Sequence, residues 1–188
     1  AIRLQNIPHR YDAEVPVRAM VDYLVGRTDV DPARLGLIGV SMGGYLAPRA
    51  AAFEKRLKAV VAWGALYDYH ARWVKRLELM KTGGYIANFP AHIYWVLGVD
   101  TMEQALEKLK DFNLAGVAER ITCSLLVVHG ADDAVVPLED AERLFRENGS
   151  NDKEIRVFRV EDGGSQHCVH DNIPRSGEVI ADWLSERL

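Results

Sequence analysis

Three side chains, far apart in the chain, could together carry out nucleophilic catalysis: Ser41, Asp133 and His167. A serine hydroxyl is a poor nucleophile near neutral pH. It needs a base to take its proton, and the base needs a group that fixes its tautomer. Ser41 lies in Gly39-Val40-Ser41-Met42-Gly43, with an apolar run before it and an Ala-rich stretch after it. A G-x-S-x-G between a buried strand and a helix is a sharp turn that strains the serine backbone and exposes its hydroxyl. Gly39 and Gly43 suit such a turn, because it brings the strand and helix backbones close together. The backbone N–H of Met42 would be one oxyanion donor, aided by the positive end of the helix dipole. The competing reading of these five residues is a glycine-rich turn without chemistry. The flanking strand and helix favour the nucleophile.

Behind a serine on such a turn, the acid and then the histidine follow in chain order. The acid is sought in His129-Gly130-Ala131-Asp132-Asp133-Ala134-Val135-Val136-Pro137, at the end of an apolar run. Loops at the carboxyl ends of parallel strands are where sites in open α/β sheets lie. Asp133 is preferred over Asp132, which reads as a turn residue facing solvent or bonding local amides. The base is sought in the loop Glu161-Asp162-Gly163-Gly164-Ser165-Gln166-His167-Cys168-Val169-His170. His167 is nearer the preceding strand and is preferred over His170, which would bond a neighbour or open the last helix. His129, at a strand terminus, reads as structural. Cys168 reads as a small buried hydrophobe.

The elements that must position these groups follow from periodicity. Residues 35–40, 57–63, 124–129 and 155–160 read as strands, the first three apolar enough to be buried on both faces. Helices are predicted over 14–25, 45–53, 138–147 and 177–188. This alternation predicts a mostly parallel sheet with helices on both faces. Residues 67–117 break the rhythm and are too long for a simple connection. They read as a helical insertion, including a helix over 101–109 with Thr101 as cap and Gln104 at the box position. Its aromatics Tyr67, Tyr69, Trp73, Tyr85, Phe89, Tyr94 and Trp95 are expected to form the insertion's own core.

Composition narrows the classes. At 188 residues, 48% of them hydrophobic, the chain can bury a real core as one domain spanning 1–188. A net charge of −4 without any basic run argues against a nucleic-acid partner. Two cysteines outside any C-x-x-C pair fit a reducing, cytoplasmic setting without a disulfide framework. No apolar run has membrane-spanning length, and the first residues do not read as a secretory leader. No His/Asp/Glu cluster has metal-ligand spacing, so neither metal nor cofactor is expected.

Gly-Val-Ser-Met-Gly-Gly-Tyr, His-Gly-Ala-Asp-Asp-Ala-Val-Val-Pro, His167-Cys168-Val169-His170-Asp171-Asn172 and Ile180-Ala181-Asp182-Trp183-Leu184 together resemble the α/β-hydrolases. The subgroup contains 2,6-dihydroxypseudooxynicotine hydrolase and fungal hydrolases that shorten polyketide chains in pigment synthesis. The His-Cys-x-His block is the most specific of these motifs, and 99–105 also resembles the subgroup's lid. The resemblance implies an α/β-hydrolase fold with a helical lid at about 67–117, and the same triad of Ser41, Asp133 and His167. It further implies cleavage of a carbon–carbon bond next to a ketone in a small aromatic or polyketide-like substrate, and a homodimer. Some members place a lid-side glutamate near the substrate; Asp68, Arg72 and Glu78 lie around its place here. A plain carboxylesterase is the rival enzyme, and a non-catalytic binding or regulatory module the rival from another class. Such enzymes carry further strands and a second oxyanion amide ahead of this point. With only 35–40 before Ser41, the chain is expected to be part of a longer protein and to leave a sheet edge exposed.

Overall fold

The computed structural model describes residue 5 and residues 7–83 and 90–188. Ala1, Tyr85 and Phe89 lie outside the described residues. In chain order the elements are α1 (Glu14–Val25), β1 (Gly36–Val40), α2 (Gly43–Phe53), β2 (Ala59–Trp63), α3 (Tyr69–Lys81), α4 (Pro90–Leu97), α5 (Met102–Leu109), β3 (Ser124–Gly130), α6 (Leu138–Glu147), β4 (Lys153–Phe158) and α7 (Ile173–Ser185). Contacts divide the chain into two compact units. One is Asp12–Tyr67 with Leu114–Leu188; the other is the residues up to Tyr11 with Asp68–Asn113.

The larger unit is built on one sheet in the order β1-β2-β3-β4. Every pairing is parallel, with Ile38 opposite Val61, Val61 opposite Leu126, and Val127 opposite Ile155. Alternate residues face opposite layers, as the strand period requires. Ala59, Val61, Leu126, Val128 and Phe158 pack with Ile180 and Trp183 of α7. On the other face Gly39 meets α2, where a Cβ would lie 2.7 Å from that of Ala47. α6 packs against β3 and β4. Each fully buried Val or Leu in these layers contributes on the order of 2 kcal/mol.

Four of the departures from the sequence expectation have a local reason. β1 is not covered on both faces: Ile38 is 46% and Val40 49% exposed. Among the described residues this strand pairs with β2 alone. α2 starts at Gly43, ahead of the expected 45, because Ser41 O accepts Gly44 N–H at 2.7 Å and Met42 O accepts Tyr45 N–H at 3.1 Å. β4 starts at Lys153, because Leu125 N–H reaches Asp152 O at 3.0 Å and so opens the pairing there. It stops at Phe158, and Asp162 accepts Arg159 N–H at 2.9 Å to start a 3₁₀ turn over Val160–Asp162. α7 starts at Ile173, capped by Asn172, whose side chain accepts from Arg175 N. Pro174 falls in its first turn, where the missing N–H has no helical acceptor to lose.

The smaller unit is helical. Asp68 caps α3 by accepting Ala71 N–H at 2.9 Å. Its other oxygen accepts Asn113 Nδ2–H at 2.7 Å. Trp73, Ile93, Leu97, Leu109 and Phe112 are buried. Tyr69 stands edge-on to both Trp73 and Phe112. Trp95 departs from the expectation of an aromatic core, being 53% exposed beside His92. Thr101 caps α5 by accepting Gln104 N–H at 3.3 Å, as the box pattern predicts. Gln104 Oε1 does not return to the cap residue itself; it accepts Asp100 N–H at 3.0 Å, one position earlier. Tyr67 belongs to the sheet unit, with its N–H on Asp140 and its hydroxyl on Glu147.

Candidate active site

Ser41 leaves the carboxyl end of β1 and leads directly into α2. Its φ is 57°, a left-handed backbone that a non-glycine residue adopts at a cost of about 1–2 kcal/mol. Packing enforces the turn. A Cβ on Gly39 would lie 1.9 Å from Gly43 O, and one on Gly44 would lie 2.3 Å from Gly64 O. Gly43 has open space where its Cβ would be. The two positions that must be small are therefore 39 and 44, not 39 and 43. Ser41 N–H is anchored on Trp63 O at 2.8 Å, fixing the turn to the end of β2. Met42 immediately precedes α2, so its amide stands at the positive end of that helix.

Asp133 follows β3 and is buried, whereas Asp132 is exposed. Its Oδ1 accepts the amides of Val135 and Val136, both at 2.8 Å. That leaves Oδ2 for His167, whose Nδ1–H donates to it at 2.7 Å. The other ring nitrogen of His167, Nε2, lies 2.8 Å from Ser41 Oγ. With Nδ1 protonated, Nε2 is the acceptor for the serine proton. The structure thus brings together all three side chains singled out in the sequence. His170 is turned away: it is exposed, and its Nδ1–H donates to His167 O at 2.8 Å.

Charge is distributed to suit the pair. Burial opposes the charged form of Asp133. The hydrogen bond from His167, the Val136 amide and the nearby imidazoles outweigh it and hold the carboxyl below its ordinary pKa. Burial also opposes the charged form of His167. Asp133 and the Cys168 thiol overcome that, raising the imidazole from 6.5 to about 9.

Two neighbours have more to do than the sequence suggested. His129 is completely buried. Burial lowers its pKa, so it stays neutral and donates Nε2–H to Val136 O at 2.9 Å. Its 3.6 Å approach to Asp133 Oδ2 is that of a neutral ring behind the carboxylate, not an ion pair. Cys168 is buried as expected, but its Sγ lies 3.4 Å from His167 Nε2 and donates to Trp63 O at 3.5 Å. Cys168 and Val169 have φ of 52° and 50°. With Ser41 they are the three non-glycine residues of positive φ among the described residues, and all three belong to this site. For β-branched Val169 this backbone is a genuine outlier. The signal that could have pointed to the strain is the G-x-S-x-G for Ser41; a Cys-Val pair carries none.

Among the described residues no group of three His, Cys, Asp or Glu side chains could hold a metal ion, and no helix is long and apolar enough to cross a membrane. Asp68, Arg72 and Glu78 all fall in the helical unit, Asp68 as the cap of α3.

Several of the proteins to which the chain is similar carry the name hydrolase. The chain is 29% identical over 178 residues to 2,6-dihydropseudooxynicotine hydrolase of Paenarthrobacter nicotinovorans, covering 94% of this chain and 44% of that protein. It is 26% identical to a 20-hydroxy-prefusarin hydrolase of Gibberella moniliformis, over 88% of this chain and 47% of that protein. The crystal structure of 2,6-dihydroxy-pseudo-oxynicotine hydrolase superposes with a TM-score of 0.76 at 28% identity, over 95% of this chain and 47% of that one. The chain therefore spans about half the length of these relatives. A profile of the prolyl oligopeptidase family matches residues 17–188, nearly the whole chain. With that match and the parallel sheet beneath the serine turn, the chain belongs to the prolyl oligopeptidase family of α/β-hydrolases.

Proposed function

We propose that Ser41, His167 and Asp133 are the nucleophile, base and orienting acid of a hydrolase that cleaves a carbon–carbon bond next to a ketone in a small aromatic or polyketide-like molecule. One observation carries the catalytic reading. Two hydrogen bonds in series, 2.8 Å and 2.7 Å, run from the hydroxyl of a strained serine to a buried carboxylate. The bond type rests on the subgroup resemblance and on likeness to a hydrolase of 2,6-dihydropseudooxynicotine. The helical unit is, in this reading, the lid of that enzyme. A cytoplasmic homodimer without cofactor belongs to the same proposal.

The steps follow from the groups present. His167 Nε2 takes the hydroxyl proton as Ser41 Oγ bonds to the ketone carbon. The Met42 amide donates to the oxyanion; one such donor is worth about 3–4 kcal/mol. Collapse breaks the bond to the neighbouring carbon, which leaves with its electron pair and receives the proton from His167. Water, deprotonated by His167, then attacks the acyl ester, releasing a carboxylic acid and restoring Ser41. Asp133 holds Nδ1–H throughout and balances the imidazolium charge.

The full-length protein should react at Ser41 with a fluorophosphonate probe, and Ser41→Ala should abolish labelling. It should also cleave an aryl β-diketone. Turnover of p-nitrophenyl esters alone would leave a carboxylesterase and remove the carbon–carbon reading. A protein that neither labels nor turns over either substrate would be a hydrolase-like binding module.

A further inference from the structure

The block His167-Cys168-Val169-His170-Asp171-Asn172 contributes only its first residue to the chemistry above. Asp171 makes the connection the chemistry leaves unexplained. Its Oδ2 accepts Ser165 N–H at 2.8 Å and its Oδ1 accepts Gln166 N–H at 3.2 Å. Both amides immediately precede His167. Accepting them holds the Asp171 carboxyl below its ordinary pKa, so it binds as a carboxylate.

The segment Asp171 grips also separates the acid turn from the histidine. Ser165 O accepts Asp132 N–H at 2.9 Å, one residue from Asp133. Gly130 is pressed against the same segment: a Cβ there would lie 2.2 Å from Gln166 O and 2.3 Å from Ser165 O. Asp133 and His167 therefore meet across a spacer of fixed thickness, the backbone of 165–166. Cys168 and Val169 turn the chain through its left-handed region and bring Asp171 back onto that spacer. Gln166 O closes the loop by accepting Val169 N–H at 2.8 Å.

We infer that Asp171 is a positioning residue. Its carboxylate clamps the 165–166 backbone, and through it sets the registration of His167 between Asp133 and Ser41. The inference rests on the triad reading proposed above, and its structural half can be measured without activity. Loss of the clamp lets the strained turn relax, and the imidazole moves off the serine while the substrate-binding surface is untouched. Misplacement of a catalytic group by about 1 Å costs roughly 100-fold in rate.

The test compares Asp171→Ala and Asp171→Asn in the full-length protein. It reads kcat and KM on an ester or diketone substrate, the rate of Ser41 labelling, and the downfield proton NMR signal of His167 Nδ1–H, assigned by its loss in His167→Asn. Asp171→Ala should lower kcat about 100-fold with KM little changed, slow labelling in parallel, and shift or broaden the proton signal. Asp171→Asn, which keeps one acceptor for the Ser165 amide, should recover part of both. If Asp171→Ala does not fold, Asp171→Asn decides: an intermediate loss of kcat and signal supports positioning. A folded Asp171→Ala, or failing that a folded Asp171→Asn, with wild-type kcat and an unmoved signal overturns the inference. If the wild-type protein proves inactive while Asp171→Ala still displaces the signal, the clamp stands and the hydrolase reading falls.

Discussion

Ser41 and the Cys168–Val169 pair share a left-handed backbone, yet different forces hold them there. The serine turn is wedged. Strand and helix close on it through Gly39 and Gly44, where no larger residue fits, and Ser41 N–H is fixed to the end of β2. The histidine turn is tied. Asp171 grips the backbone ahead of it, His170 donates to His167 O, and Asn172 Nδ2–H donates to Gly163 O at 3.1 Å. Wedging uses packing, which resists by excluded volume and is lost only with the fold. Tying uses side-chain hydrogen bonds, each worth about 1 kcal/mol net, so it can be loosened one strand at a time. In the proposed triad Ser41 is thus the fixed partner and His167 the adjustable one.

The largest expected effect comes from cutting the adjustable partner loose from its acid. Asp133→Asn removes the charge facing His167 Nδ1 and should lower kcat about 10⁴-fold, measured on the same substrate as wild type. Its pH profile sharpens the point. Asp133 contributes to raising His167 from 6.5 to about 9, and a base works only when neutral. Wild-type kcat/KM should therefore fall as pH drops through a midpoint well above 6.5, and the midpoint should move back down in Asp133→Asn. A wild-type midpoint at or below 6.5 would contradict the raised imidazole.

Next in size is an attack on the wedge. Gly39→Ala drives a methyl group into Gly43 O and should destabilise the fold by about 3 kcal/mol. Gly43→Ala enters open space and should stay within about 0.5 kcal/mol of wild type. Urea unfolding of both variants decides this, and equal losses would mean that packing does not set the turn. The smallest effect is expected at the tie shared with α7. Asn172→Ala loses the cap on Arg175 N and the bond to Gly163 O, for about 1 kcal/mol of stability. It should leave the wedge intact and Asp171 still gripping Ser165 N–H and Gln166 N–H, so Ser41 should keep its labelling by the fluorophosphonate probe.

The same contrast decides what could be read in the sequence. The serine turn is local: its strand, glycines and helix are contiguous, so pattern alone located Ser41 and the layers around it. Preferring Asp133 over Asp132 needed only chain order and turn chemistry, and preferring His167 over His170 only distance from a strand end. The ties were not legible. That Asp171 folds back onto 165–166, that Cys168 Sγ reaches Trp63 O, and that His129 lies behind Asp133 all depend on where three loops meet. β4 starts ahead of the expected 155 because register with β3, rather than the alternation of 155–160, sets where pairing begins. β1 looked like a doubly covered strand because its apolar run cannot report which neighbours it has.

Val169 lies two residues beyond His167 and is fully buried in the layer formed with Phe158, Ile180 and Trp183. The imidazole proposed as the base is thus mounted on a plug seated in the oil between sheet and last helix. Heat that loosens that layer will blunt the base at the same moment, so inactivation and melting should trace a single curve. Under the proposed triad, durability and turnover depend on one short stretch of chain.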